Sequence, residues 1–220
     1  MEITWYGHSC FRLSERGYAT IVTDPFDASL GYDVPKFKAD IVTVSHEAPG
    51  HSNTAAVKGA RPISGPGEFE IGGVFITGVA ASKDSGKKRK ENGRTPPNTL
   101  YLLDYDGLTV CHMGDLDHVP TQTQIEDLGT VNIALVPVGG GGGLNAAHAA
   151  EVISLIEPSI VIPMHYKTND TTLKLDPLSK FLKEMGLGNL KPQDSLKVTK
   201  SQLPEETQVV VLNYKGQGTG

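Results

Sequence analysis

The sequence predicts a mixed α/β domain built around buried parallel strands. Four short apolar runs, each ending abruptly in turn or polar residues, support this prediction: residues 41–45, 108–112, 133–136 and 159–162. Compact β-branched runs bounded by turn residues are typical of strands buried on both faces. Helical segments separate some of these runs. Strands and helices mixed along one continuous chain favour a single layered domain over residues 1–220.

The first half of the chain predicts mainly strands. Residues 2–6 and 10–13 form two strands around Gly7-His8, and residues 19–23 form a third that ends at Asp24-Pro25. A loop rich in Gly, Asp and Pro follows over residues 26–38. Residues 67–78 predict a hairpin with Gly72-Gly73 as its turn.

The second half predicts three helices and a last strand. Residues 145–156 form the clearest helix, with Asn145 as N-cap and Pro158 just beyond. Residues 176–185 form another, with Pro177 in its first turn and Gly186 at its end. Residues 122–128 predict a short third helix, and residues 207–212 a final strand.

Composition narrows the class of protein and its surroundings. The net charge of −5 argues against nucleic-acid binding by the whole surface. Cys10 and Cys111 give no disulfide framework and suit a reducing compartment. No apolar run reaches the roughly 18 residues of a membrane span, and no signal-peptide pattern opens the chain. We therefore expect a cytoplasmic protein that does not bind membranes and that is compatible with a homo-oligomer.

Residues 82–97 differ from the rest, with six basic and two acidic side chains and no large apolar residue. Such a segment is typical of a solvated loop. The alternative is a lid that contacts an anionic substrate. The five glycines at 139–143 likewise allow two interpretations, a flexible turn or a backbone cradle for an anion before a helix.

Polar side chains that bind metals follow several of the predicted strands. His46 and His165 lie where a strand passes into a loop, His51 lies in the same loop as His46, and Asp115 follows Gly114. Polar residues just past strand C-termini tend to line one crevice of a layered α/β protein. Neutral imidazoles and carboxylates are the ligands of hydrolytic metal sites. Their repeated placement predicts such a site here.

The segment Ser45-His-Glu-Ala-Pro-Gly-His51 resembles the His-x-His-x-Asp-His motif of the metallo-β-lactamase superfamily. Gly114-Asp115 is similar to that family's bridging aspartate, and Ile162-Pro-Met-His165 to its closing histidine motif. The segments around His8, Asp24-Pro25, Gly114–His118 and Pro137–Gly140 resemble the branch that includes the ascorbate-6-phosphate lactonase-like proteins. The resemblance implies a four-layer αββα sandwich with a metal site at one edge, between its halves.

This chain departs from the family pattern at its first metal site. The second histidine of the motif is Ala48, whose methyl group cannot bind metal, and the later third histidine falls near Lys83. A lysine binds metal only when deprotonated, which is unfavourable near neutral pH. His46 is thus the ligand that remains. Natural loss and deliberate replacement of a histidine both explain Ala48, and the further departures favour natural divergence.

The second site is better kept, although its usual aspartate is Gly50. The resemblance assigns His51, His165 and the bridging Asp115 to it, which suits zinc, and also manganese or iron. We expect at most one such ion per chain. Asp115 would hold both the ion and the attacking water. Several roles remain open for His8. It would orient the substrate, transfer protons, fill the vacant coordination position, or remain neutral and contact a metal ligand without binding the ion itself.

The resulting prediction is a metal-dependent hydrolase that uses a metal-activated water on an ester, lactone or phosphodiester. Lys83 and the basic segment favour a small anionic substrate. The alternative is a non-catalytic binding protein that keeps the fold, which Ala48, Gly50 and Lys83 together support. The acidic balance makes a nuclease the weaker third interpretation. His112 and His148 are predicted to be structural or exposed.

Overall fold

Two large β-sheets pack face to face at the centre of the protein. The structure is a computed structural model, and it describes residues 1–81 and 98–216. Fifteen strands occur in these residues. In chain order they are β1 (Glu2–Gly7), β2 (Cys10–Ser14), β3 (Ile21–Thr23), β4 (Phe37–Lys38), β5 (Ile41–Val44), β6 (Val57–Lys58), β7 (Arg61–Ser64), β8 (Gly67–Ile71), β9 (Val74–Ala81), β10 (Asn98–Tyr105), β11 (Leu108–His112), β12 (Ile133–Pro137), β13 (Ile160–Met164), β14 (Leu196–Lys197) and β15 (Gln208–Val209).

Each large sheet combines antiparallel strands with a parallel portion. The first has the order β14-β1-β2-β3-β5-β7, and the second has the order β15-β13-β12-β11-β10-β9-β8. Strands β3, β5 and β7 run parallel in the first sheet, as do β11, β12 and β13 in the second. Parallel strands end at the same edge of their sheet, so the loops after β11 and β13 are brought side by side.

Strand residues alternate between two apolar clusters. Ile21 and Ile41 point into the large core between the sheets, whereas their neighbours Val22 and Val42 point to a smaller cluster on the outer face of the first sheet. This alternation follows from the two-residue period of a strand. The Tyr101 hydroxyl crosses the large core and donates a hydrogen bond to the Val44 carbonyl at 3.1 Å. It ties β10 of the second sheet to the end of β5 in the first.

The outer layers of the sandwich differ from each other. Three α-helices of the described residues, α1 (Gln122–Leu128), α2 (Ala146–Ile156) and α3 (Leu178–Glu184), lie between strands of the second sheet or after them. The first sheet is covered by the ribbon β4–β6 and by short 3-10 turns at Ala28–Leu30 and Thr54–Ala56. The Gly, Asp and Pro content of the loop before β4 explains the lack of a longer helix in this described part of the chain.

The predicted elements are largely confirmed. The helix at 122–128 has the predicted bounds, and Asn145 caps α2 by accepting a hydrogen bond from the His148 amide. The hairpin turns at Gly72-Gly73. The helix predicted over 176–185 is observed as α3 (Leu178–Glu184). Pro177 precedes this helix as its N-cap residue instead of lying in its first turn. The predicted final strand shrinks to Gln208–Val209, because only these residues pair with β13.

Lys83 and the basic segment 82–97 lie outside the described residues. Within the part of the chain that the structure describes, no helix is long and apolar enough to cross a membrane.

Candidate metal centre

Three of the predicted ligands converge at the end of β5. One side-chain atom each from His46, His51 and Asp115 lies within 4.8 Å of the others. His46 and His51 come from the loop after β5, whereas Asp115 comes from the loop after β11 in the opposite sheet. The centre therefore lies at the seam between the two sheets. This is the arrangement expected of ligands that follow strand ends.

His165, just after β13, borders this group. Its Nδ1 atom lies 3.3 Å from Asp115 Oδ1. Neither atom has a hydrogen-bond partner in the described residues, and both are inaccessible to solvent. A buried polar atom without a partner is costly, and most are satisfied by protein, water or an ion. The pair thus suits a cation that would satisfy both atoms.

His8 reaches the centre from the turn between β1 and β2. Its Nε2 atom shares a hydrogen bond of 3.1 Å with Nε2 of His51, and its ring lies 4.3 Å from that of His165 between centroids. Both His8 and His165 have left-handed backbones, with φ of 49° and 52°. Backbone strain of this kind is concentrated at functional sites. Their main chains are joined, because the His165 amide donates to the His8 carbonyl at 3.1 Å.

Asp24 lies behind the His51 ring, on the side away from Nε2. No role in the centre was assigned to it from the sequence alone. Its Oδ2 accepts a hydrogen bond of 2.7 Å from His51 Nδ1, and its Oδ1 accepts one of 2.7 Å from the Ser45 amide. The bond to Nδ1 orients the ring and directs Nε2 of His51 into the centre. Metal-binding histidines commonly have such a carboxylate partner. The available signal was a carboxylate directly after a strand, in the same setting as His46 and His165.

Burial dominates the electrostatics of the centre. It lowers the pKa of His8 well below the usual value and that of His165 to about 3, with the neighbouring imidazoles adding to the effect. It also lowers the pKa of His46. Burial raises the pKa of Asp115, since His51 and His46 offset it only in part. The three histidines are consequently neutral near pH 7, which is the form that binds metal.

Asp24 behaves differently from Asp115. Burial opposes its ionisation, but His112 and the hydrogen bonds from His51 and Ser45 outweigh burial and lower its pKa. The side chain is fully buried. A negative charge is thereby held directly behind the His51 ring. This charge favours a cation on the opposite side of that ring.

Glycines make room beside Asp115. A Cβ atom at Gly143 would lie 2.6 Å from Asp115 Oδ1 and 3.1 Å from His165 Nδ1, and one at Gly142 would lie 3.2 Å from Asp115 Oδ2. The glycine run thus borders the predicted ligands. The absence of side chains there prevents a clash with the carboxylate. From the sequence, this run allowed only a flexible turn or an anion cradle.

The remaining residues considered from the sequence are three further histidines, Ala48 and Lys83. His112 is buried in β11 and donates from Nε2 to the Ser9 carbonyl at 2.8 Å, and His148 is exposed on α2, so both agree with the structural or exposed prediction. Nδ1 of His118 forms a hydrogen bond of 2.7 Å with Asp117 Oδ1. Ala48 is half-buried in the same loop as His46, whereas Lys83 lies outside the described residues.

The donor set fits a single divalent metal ion. His46, His51 and Asp115 supply two nitrogens and a carboxylate within 4.8 Å, and His165 adds a nitrogen against the same carboxylate. Two or three imidazoles with one carboxylate are characteristic of zinc, and of manganese or iron in related geometries. The unpartnered atoms of Asp115 and His165 are the observation that favours an ion at this position.

Comparison with known proteins agrees with this architecture. Residues 2–165 match the family described as the beta-lactamase superfamily domain, and this match covers every described residue of the centre. The chain belongs to the beta-lactamase superfamily. The more detailed resemblance to the ascorbate-6-phosphate lactonase-like branch stays a prediction.

Several superfamily members are similar over most of their length. A UPF0173 metal-dependent hydrolase from Methanoculleus marisnigri is 32% identical over 190 residues, covering 76% of this chain and 82% of that protein. A Thermotoga maritima protein, proposed to be a Zn-dependent hydrolase of the metallo-beta-lactamase superfamily, has a crystal structure that superposes with a TM-score of 0.77 at 37% identity, covering 96% of this chain and 97% of that one. A metallo hydrolase from Ignicoccus hospitalis shares the fold, with a TM-score of 0.64 at 21% identity over 90% of this chain and 99% of that one.

Proposed function

We propose that this protein is a metal-dependent hydrolase that binds one divalent ion and cleaves an ester, lactone or phosphodiester. The main support is the convergence of His46, His51 and Asp115 from two different sheets, with unpartnered atoms on Asp115 and His165 beside them. The names of relatives from Methanoculleus marisnigri and Thermoplasma acidophilum, both metal-dependent hydrolases, favour the same reaction class.

The residues of the centre have separable tasks in this proposal. When bound, the ion supplies Lewis acidity and a hydroxide nucleophile near neutral pH. Asp24 orients His51 through the 2.7 Å hydrogen bond to Nδ1. Asp115, whose Oδ1 lies 3.3 Å from His165 Nδ1, would hold the ion and accept a proton from the attacking water. Gly142 and Gly143 leave room beside its two oxygens, which side chains at these positions would fill.

A stoichiometry of one follows from the chemistry of the loop after β5. His46 is half-buried at its start, and Ala48 offers a methyl group two residues later. A second ion beside His46 would have two protein ligands, one imidazole and a shared carboxylate, which falls short of the three that a catalytic zinc takes from protein. The resemblance assigns the ion to His51, Asp115 and His165, and His46 lies close enough to His51 and Asp115 to be a further donor.

A small anionic molecule is the substrate we favour. The six basic residues in the segment 82–97, Lys83 among them, supply the positive charge that such a substrate requires in an otherwise acidic protein. With a panel of phosphorylated and neutral substrates, Lys83→Ala should raise KM for the charged members only. An equal effect on neutral and charged substrates would contradict this assignment.

A binding protein without catalysis is the second candidate, and Ala48 and Gly50 are the observations that favour it. Metal analysis of the purified protein, followed by phosphodiester, lactone and thioester panels with and without added Zn²⁺ or Mn²⁺, separates the two. Metal-dependent turnover supports the hydrolase. One bound equivalent without turnover, in both the natural chain and Ala48→His, supports the binding protein. Two equivalents in the natural chain would refute the single-ion centre.

A further inference from the structure

Gly50 leaves a space in the centre that another residue fills. A Cβ atom on Gly50 would lie 2.9 Å from His8 Nε2 and 3.2 Å from His8 Cδ2. Any side chain at position 50 would therefore compete with the His8 ring for the same place. Gly50 has an ordinary backbone conformation, so its lack of a side chain is explained by this contact and not by a turn that requires glycine.

His8 is held in this space by the fold. Its carbonyl accepts two hydrogen bonds, one from Trp5 Nε1 at 3.0 Å and one from the His165 amide at 3.1 Å. These bonds hold His8 at φ 49°, a left-handed conformation that is uncommon outside glycine but that histidine adopts more often than most residues. The side chain is 2% exposed. The two hydrogen bonds to its carbonyl thus keep the His8 imidazole buried beside Gly50.

The ring atoms of His8 lie where a ligand would lie. Nε2 is 3.1 Å from Nε2 of His51. Two nitrogens bound to one tetrahedral zinc, each at about 2.0–2.1 Å, are about 3.3 Å apart. The other nitrogen, Nδ1, is buried and has no hydrogen-bond partner among the described residues. The argument for a ligand therefore rests on Nε2, which faces Nε2 of His51 at a separation suited to one shared ion.

From these contacts we infer that His8 is a direct ligand of the ion and fills the coordination position that Gly50 leaves open. The ion is then held by His8, His51 and His165, with Asp115 as the carboxylate. The inference rests on the proposed metal centre and adds a ligand to it. It gives His8 a place on the ion in preference to proton transfer or substrate orientation.

The test uses Co²⁺ as a spectroscopic probe of the metal-stripped full chain. The variants are His8→Asn, His8→Asn/Gly50→Asp and, as a matched control, His148→Asn on the exposed face of α2. Asparagine suits position 8 because it tolerates left-handed backbone better than most residues do. In the double variant, the carboxylate introduced by Gly50→Asp starts from a Cβ that lies beside the former position of His8 Nε2.

We expect His8→Asn to bind Co²⁺ about 100-fold more weakly or worse, since loss of a ligand exceeds the 10–100-fold cost of losing a ligand's hydrogen-bond partner. The double variant should recover most of this affinity, with a visible spectrum altered by the exchange of nitrogen for oxygen. The control should match the natural chain. Unchanged Co²⁺ affinity and spectrum in His8→Asn would overturn the inference alone, whereas a natural chain that binds no Co²⁺ or Zn²⁺ would overturn the proposed function with it.

A measurement on the natural chain avoids dependence on any variant. Long-range ¹H–¹⁵N spectra follow the imidazole nitrogens as Zn²⁺ is added. Coordination should shift one ring nitrogen of His8 together with those of His51 and His165. Shifts confined to the other histidines would show that His8 lies beside the ion without binding it, and would also refute the assignment. So would a double variant that stays as weak as His8→Asn.

Discussion

The two sides of the centre differ in how many ligands they retain. The loop after β5 keeps His46 and His51 but has no donor side chain at Ala48 or Gly50. The opposite side, at the ends of strands in the second sheet, keeps both Asp115 and His165 and surrounds them with glycines. The losses are thus confined to one loop of the described centre. This one-sided pattern supports the proposed single-ion centre, in contrast to the general erosion expected after loss of function.

The largest expected effect separates Asp115 from His46. Asp115→Ala removes the carboxylate that contacts both sides of the centre and should weaken Zn²⁺ binding more than about 100-fold. His46→Ala should cost about tenfold or less, because the resemblance assigns the ion to His51, Asp115 and His165 and leaves His46 outside that set. Competition with a chromophoric chelator measures both affinities. Equal losses in the two variants would break the contrast between the sides.

A smaller effect is expected from the support beneath His51. Asp24→Asn keeps the shape of the side chain but removes the charge behind the ring, and should weaken Zn²⁺ binding by about 10–100-fold. The same chelator competition measures the change. Asp40→Asn, at an exposed aspartate that caps the Thr20 amide, is the matched control and should have no effect on affinity. An unaltered affinity in Asp24→Asn would show that the negative charge behind His51 does not contribute to metal binding.

A substitution at Gly143 disturbs the surroundings of Asp115 more mildly. The Cβ atom of Gly143→Ala would press on Asp115 Oδ1 and should lower metal affinity by about tenfold, within the range for disturbed ligand surroundings. Gly188→Ala, where a Cβ meets no atom within 4 Å, is the control. Circular dichroism should show both variants folded. If Gly143→Ala binds Zn²⁺ as the natural chain does, the space beside Asp115 is irrelevant to the ion.

The smallest effect is a change of stability without a change of binding. Tyr101→Phe removes the hydrogen bond to Val44, just before the loop that carries His46, and should lower the free energy of unfolding by about 1 kcal/mol. That corresponds to roughly 2–4 °C in Tm for a chain of this size. Because the Tyr101 hydroxyl donates to backbone carbonyls and not to a ligand side chain, metal affinity should stay constant. A parallel loss of affinity would show that the depleted side contributes more than we propose.

The sequence predicted those features that depend on local pattern or on strand ends. The bounds of the helix at 122–128 and the turn of the hairpin at Gly72-Gly73 were confirmed, because capping and turn residues encode them, whereas the second hairpin strand extends beyond residue 78 to Ala81. Strand ends placed His46, His51, Asp115 and His165 in one region, although not their distances. Strand β10, in contrast, was not predicted, since its burial depends on both neighbouring strands.

The relations within the centre depend on contacts between distant segments and could not be predicted in the same way. Asp24 lies 27 residues from His51, and His8 lies 43 residues from it. No local period links such pairs. The occupation of the space at Gly50 by the His8 ring is likewise a property of the packed sheets. A glycine in a ligand motif looks like a simple loss until its neighbour in space is known.

The backbone hydrogen bond between His165 and His8 has one more consequence. It joins the turn of the first sheet to the end of β13 in the second, at the place where both residues face the centre. An ion held from both sheets would reinforce that junction as a cross-link. Because a ligand that binds only the folded state adds about 2.7 kcal/mol at a concentration 100 times its Kd, the lifetime of this protein in a cell would follow the supply of metal.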